Sequence, residues 1–138
     1  SRDRSPPGPL SQKLFIINHL EIIMKDIEIK LESDKITANS GIKGFISVNY
    51  AGKFDSVVVN AQILGSNELV LYKTCNNEEL PHTVSRLFIS KESMTNNKAE
   101  FTAVINFEPK EQYEVKFRAS IIEQHKEIEN DQIFATIS

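Results

Sequence analysis

Three histidines, a single cysteine and a run of acids near the carboxyl end are the residues in this chain whose types could do chemistry. His19, His82 and His125 share no i, i+2 or i, i+4 spacing, so no two imidazoles are set to meet on one metal ion. They read as solvent-facing. Cys75, followed by Asn76 and Asn77, would become a nucleophile only if His82 or His125 approached and lowered its pKa. Otherwise it is an inert thiol. Glu123, Glu127, Glu129 and Asp131 gather near the carboxyl end, and Glu78-Glu79 form a second acidic pair. Carboxylate clusters can hold calcium, but this spacing is not that of an EF-hand loop and Lys126 interrupts it, so a solvated face is expected. There is no Gly-x-Ser-x-Gly and no glycine-rich phosphate loop. No catalytic, metal or cofactor-binding residue is assigned on these grounds. No cofactor is expected, and the chain is read as not an enzyme.

Whatever these residues do, strands must position them. From Met24 onward apolar and polar residues alternate with period two, the pattern of strands with one buried face. Ile27, Ile29 and Leu31 alternate with Asp26, Glu28 and Lys30. Ile42, Gly44, Ile46, Val48 and Tyr50 share a face, as do Val57, Val59, Ala61 and Ile63. Ala51-Gly52-Lys53 between those two reads as a hairpin connection in which Gly52 takes a positive φ. Leu69–Tyr72 and Leu87–Ile89 are short strands, while Thr74–Thr83, polar and holding Pro81, and Lys91–Lys98 read as loops. Phe101, Ala103, Ile105 and Phe107 alternate cleanly. Tyr113, Val115, Phe117, Ala119 and Ile121 give the longest pattern, and Ile128 with Ile133 to Ile137 suggests a last strand. Helical periodicity is weak and there is no βαβ alternation. The expected fold is all-β, an antiparallel two-sheet β-sandwich of immunoglobulin-like or arrestin-like type, in one domain.

Length and composition agree with this. The 138 residues, 40% hydrophobic and 25% charged, suit one globular domain with its own core. A net charge of −3 with interspersed signs lacks the basic stripe that nucleic acid requires. The sandwich is assigned to residues 24–138, and residues 1–23 to a disordered or non-native leader with a short apolar segment. Two readings of that segment stand: the native domain starts at Met24, or Leu14–Ile23 forms a short helix or extra strand on the sheet. Its apolar stretch falls short of the roughly 20 residues of a membrane span, and no signal peptide is expected. A lone cysteine and the lack of an Asn-x-Ser/Thr sequon point to the cytoplasm.

With no reactive constellation, function is expected at the surface. Phe45, Val58, Val104 and Ile122 fall on faces that should meet solvent, and as a cluster they would make a docking patch for a protein partner. An unpaired edge strand is a second docking option and a route to homo-oligomers. The alternative is a sandwich that binds a lipid or carbohydrate ligand. The lack of tryptophan, with Tyr50 and Tyr113 on inward faces, counts against sugar binding.

The stretch Asp26–Tyr50, with Ser40-Gly41-Ile42-Lys43-Gly44-Phe45-Ile46-Ser47-Val48, resembles the opening of an arrestin-like domain. There a first strand is followed by a glycine, a two-residue step, a second glycine and an alternating strand. Phe54 to Gly65 is similar to that family's third strand. The resemblance implies a non-enzymatic cytoplasmic adaptor or scaffold that grips partners through loops and exposed strands. Gly44 is then a place of close backbone approach or a bulge, or it relieves crowding under Phe107 or Phe117.

Overall fold

A computed structural model describes residues 25–38 and 40–138 in full, together with the backbone strands at 14–17 and 20–23. Residues 1–13, His19 and Met24 lie outside the described residues, and with them the disordered reading of the first residues and the start at Met24. Within the apolar segment, β1 (Leu14–Ile17) and β2 (Leu20–Ile23) pair as an antiparallel two-stranded ribbon, Leu14 opposite Ile23.

Period-two alternation becomes two five-stranded sheets packed face to face. The strands are β3 (Ile27–Leu31), β4 (Lys35–Ile36), β5 (Ile42–Val48), β6 (Ser56–Leu64), β7 (Val70–Cys75), β8 (Glu78–Val84), β9 (Arg86–Ser90), β10 (Lys98–Ile105), β11 (Tyr113–Glu123) and β12 (Lys126–Ile137). The first sheet has the order β3-β5-β10-β7-β8 and the second β4-β12-β11-β6-β9. Pairing is antiparallel except for β4, which lies parallel to the end of β12. The inward residues read from the sequence form the core: Ile29, Ile46 and Phe101 from the first sheet, Val57, Val59, Phe117 and Ile121 from the second, all essentially buried, and Tyr72, to which the sequence reading assigns no face, joins them. At roughly 1.5–3 kcal/mol per buried large side chain, this layer drives the two sheets together.

Several connections differ from the sequence reading. β5 and β6 belong to different sheets, so 49–55 is a crossing and not a hairpin. Gly52 has no positive φ there. It lies under the Tyr50 ring, whose hydroxyl and ring atoms would stand 2.6–2.8 Å from any Cβ added to it. The expected loop at Thr74–Thr83 is instead the end of β7, a tight turn and β8. Asn76 (φ 53°) and Asn77 (φ 68°) both take left-handed backbone, the conformation a two-residue hairpin demands and asparagine tolerates. Gln124 (φ 51°) and His125 (φ 69°) do the same between β11 and β12. β8 was hidden because it is an edge strand with few buried residues and a bulge around Pro81, where the register jumps between Tyr72↔Val84 and Thr74↔Glu79.

Gly44 does meet a ring, but it belongs to Phe101, directly opposite on β10, and not to Phe107 or Phe117. Phe101 in turn meets Tyr72 edge to face, centroids 5.4 Å apart. The Tyr72 hydroxyl is buried with no hydrogen-bond partner among the described residues, and burial pushes its pKa far above the ordinary phenol value. An unmade hydrogen bond of this kind costs about 1–3 kcal/mol. Tyr72→Phe is therefore expected to stabilise the domain by about 1–2 kcal/mol, read by urea unfolding. Above about pH 10 the unfolded phenol ionises while the buried one keeps its proton, so the parent loses stability as pH rises. The variant should lose less over the same range. A destabilised Tyr72→Phe would show that the hydroxyl has a partner.

Candidate functional site: a groove on the outer face of the first sheet

Strand register builds the site. Across β3, β5 and β10, one outward row reads Lys30–Phe45–Glu100 and the next Glu28–Ser47–Lys98. The two rows place opposite charges at the corners of a rectangle whose middle holds one aromatic ring and one hydroxyl. A groove of about 620 Å³ lies over these rows, walled by the Asn76-Asn77 turn and by Thr95.

Hydrogen bonds hold the wall. The Asn76 N–H donates to the Glu100 carbonyl and the Glu100 N–H donates to Asn76 Oδ1, each at 2.9 Å. Asn76 Nδ2 donates to the Ser93 carbonyl at 2.7 Å, tying the turn to the segment before β10. Thr95 and Lys98 exchange two backbone bonds of 3.0 Å each. The floor is Phe45, 37% exposed. Lys43 Nζ sits 5.6 Å from its ring centroid and 3.5 Å from Glu100 Oε1. The ion pair is solvent-exposed and contributes little stability. With Glu28, Lys30 and Lys98 it lines the groove with both signs of charge.

The four residues expected to form one docking patch do not come together. Phe45 and Val104 lie on the outer face of the first sheet, Val58 and Ile122 on that of the second. Val58 is only 6% exposed, a correction to the expected surface position. It lies in the row Phe88–Val58–Ser120–Asn130, flanked on both sides, and the neighbouring Ser56 and Ser120 are buried too. Val104 and Ile122 are half-buried. Larger exposed side chains went unread: Phe88 (67%), Leu69 and Phe134. Phe134 was legible in principle, since it alternates with the inward Ile133, Ala135 and Ile137. Phe88 was not, because the run Leu87-Phe88-Ile89 has no visible phase.

The candidate reactive groups are dispersed. His82 is exposed on β8 and His125 is exposed in the β11–β12 turn, while His19 is outside the described residues. The carboxyl-terminal acids are split by a bulge in the β11–β12 register after Ile121, which leaves Ile128 unpaired. Glu127 faces outward, where its Oε2 pairs with Arg118 at 2.6 Å and accepts from Asn130. Asp131 turns toward β3, where it accepts from the Ile29 N–H at 3.0 Å and from Lys25 at 3.2 Å. It thus closes an open corner of the sandwich. Among the described residues no three His, Cys, Asp or Glu side chains converge on a metal position, and no helix is long and apolar enough to cross a membrane.

Cys75 lies opposite Glu78 across the hairpin, not opposite a histidine. Burial, and then the Glu78 carboxylate, push its pKa up, so less thiolate is present at neutral pH. Iodoacetamide should alkylate the native protein at least about tenfold more slowly than the urea-unfolded chain at the same pH. Equal rates would contradict this placement of the thiol.

No protein-family model matches the chain, and no curated protein matches it in sequence. Among solved structures, it is similar to a mutant of the CFA/I enterotoxigenic E. coli adhesin CfaE, with a TM-score of 0.51 at 13% identity. That match covers 81% of this chain and 48% of the adhesin, so the chain spans about half the adhesin's length. The Salmonella SafD adhesin gives a TM-score of 0.48 at 13% identity, covering 82% of this chain and 97% of that one. The human F-spondin reeler domain gives 0.40 at 11% identity, covering 80% and 89%. At such identities the likeness is one of architecture. The chain folds as a single immunoglobulin-like β-sandwich domain.

Proposed function

We propose that this domain is a non-enzymatic protein-interaction module, and that its partner docks on the outer face of the first sheet. The observation that carries the reading is the groove over Phe45, an exposed ring set among Lys30, Lys43, Glu100 and Lys98 on a floor of paired strands. A rigid apolar anchor ringed by polar groups is how protein interfaces concentrate their binding energy. Mixed charge suits a polypeptide surface with both signs; a nucleic acid would want a uniformly basic face. The occupant this favours is a protein segment that sets an apolar side chain against Phe45 and carries charges of both signs beside it. The large side chains between the sheets pack against one another, which weighs against a lipid held in the sandwich. The arrestin-like resemblance of Asp26–Tyr50 and Phe54–Gly65 supports a cytoplasmic adaptor as the form this module takes.

The test is a photo-crosslinker in place of Phe45. p-Benzoylphenylalanine at position 45 should give a discrete crosslinked product in native lysate, and excess unmodified domain should compete it away. The same group at Gln62, exposed on the other sheet, should give none. Equal yields at the two positions, or no product at 45, would overturn the assignment.

A further inference from the structure

A two-sheet sandwich has four edges, and three of them here are blunted. β4 is two residues long. On β3 the Ile29 N–H is already taken by Asp131, with Lys25 beside it. β8 is bulged around Pro81. β9 has no lysine, no proline and no bulge over Arg86–Ser90, and the one side-chain hydrogen bond on its edge is at its last residue, Ser90. Among the described residues no strand pairs with its open side. The Lys91 N–H donates to the Asp55 carbonyl of the β6 segment at 3.0 Å, so by alternation Ile89 and Leu87 bond toward β6. Arg86, Phe88 and Ser90 therefore point their main-chain groups away from it. The Ser93 hydroxyl, which donates to the Ser90 carbonyl at 2.8 Å, confirms that direction. Phe88 stands at the centre of this edge and is 67% exposed, the most exposed large apolar side chain among the described residues.

We propose that β9 is a self-association edge, on which a second copy of this chain adds its own β9 antiparallel about a two-fold axis through Phe88. The self-complementarity of the strand argues for a second copy. With Phe88 opposite Phe88, the two phenylalanines form a hydrogen-bonded pair and cover each other's rings. Arg86 then stands opposite Ser90 of the other copy, so no like charges face each other. Glu92, in the 3-10 turn that follows Ser90, is two residues from the position opposite the other copy's Arg86. Leu87 and Ile89 stay in their own cores, and the Ser90 carbonyl, which accepts from Ser93, keeps a second lone pair for the Arg86 N–H of the other copy. The site is on the opposite sheet from the Phe45 groove and stands or falls independently of it.

Disulfide trapping in the full chain, with Cys75→Ser to remove the native thiol, tests the register. Paired Phe88 positions would have Cα atoms about 5.5 Å apart, within disulfide reach, whereas the two Ser90 positions would be about 14 Å apart. Under air oxidation Phe88→Cys should form a covalent dimer at least about tenfold faster than Ser90→Cys. On the unmodified chain, raising the protein concentration should slow amide exchange at Arg86, Phe88 and Ser90 and leave Leu87 and Ile89 unchanged. Equal trapping rates, or exchange independent of concentration at Phe88, would overturn the proposal.

Discussion

Gly44→Ala is expected to destabilise the domain by about 2–3 kcal/mol, a large fraction of the total for a domain of this size. The reason is local and geometric. Gly44 faces Phe101 across the β5–β10 pair, and a Cβ added there would fall deep within van der Waals contact of three atoms of the Phe101 ring. The ring cannot swing clear. It is 1% exposed and braced edge to face by Tyr72. The added methyl must therefore push β5 off β10 or drive Phe101 off its rotamer, and either disturbs the close packing of the core. Phe101→Leu alone should also destabilise, by loss of fit. Combined with Gly44→Ala it should cost less than the sum, because the smaller side chain makes room. Additive costs in that cycle, measured by urea unfolding, would show that Phe101 is not what excludes the alanine.

The second large effect is at Phe117. Phe117→Asp should leave the chain unfolded at neutral pH, and Val57→Asp should do the same. Both side chains are wholly buried in the second sheet, where an unpaired carboxylate has neither water nor a cation to hold it. Truncating a buried phenylalanine costs about 3–5 kcal/mol by itself. With several kcal/mol added for burying a carboxyl, the loss is comparable to the roughly 5–15 kcal/mol by which domains are stable. Phe117→Leu keeps the apolar character and should still fold. A cooperative thermal transition for Phe117→Asp, seen by circular dichroism, would mean that the inward face of β11 has been misassigned.

Those two residues also show which part of the fold was legible from the residues alone. Phe101, Ala103 and Ile105, or Val115, Phe117, Ala119 and Ile121, alternate because one face of each strand meets the other sheet, and all of them are buried. The pattern fails where its physical cause fails. β8 has solvent on most sides, so Glu78 to Val84 shows no alternation, and its turn uses Asn76-Asn77 in place of the glycine that marks most tight hairpins. In the sequence Gly52 reads as a turn glycine because glycine serves both turns and close packing; its place beneath Tyr50 depends on where that ring folds back.

The site was legible in one residue and hidden in its assembly. The phase of β5 exposes Phe45, and Phe45 is on the groove floor. Lys30 and Glu100 are far from it in sequence, and only the pairing order β3-β5-β10 makes them its neighbours. Period two says which face a residue takes, not which strand lies beside it. For the same reason Val58 and Ile122 were grouped with Phe45, although they belong to the other sheet.

Phe45→Ser separates surface function from folding most directly. The side chain projects outward, so the variant should keep a cooperative transition and lose no more than about 1 kcal/mol. As an unlabelled competitor it should be at least about tenfold weaker than the parent at displacing the partner crosslinked at position 45. Undiminished competition by a stably folded Phe45→Ser would contradict the account.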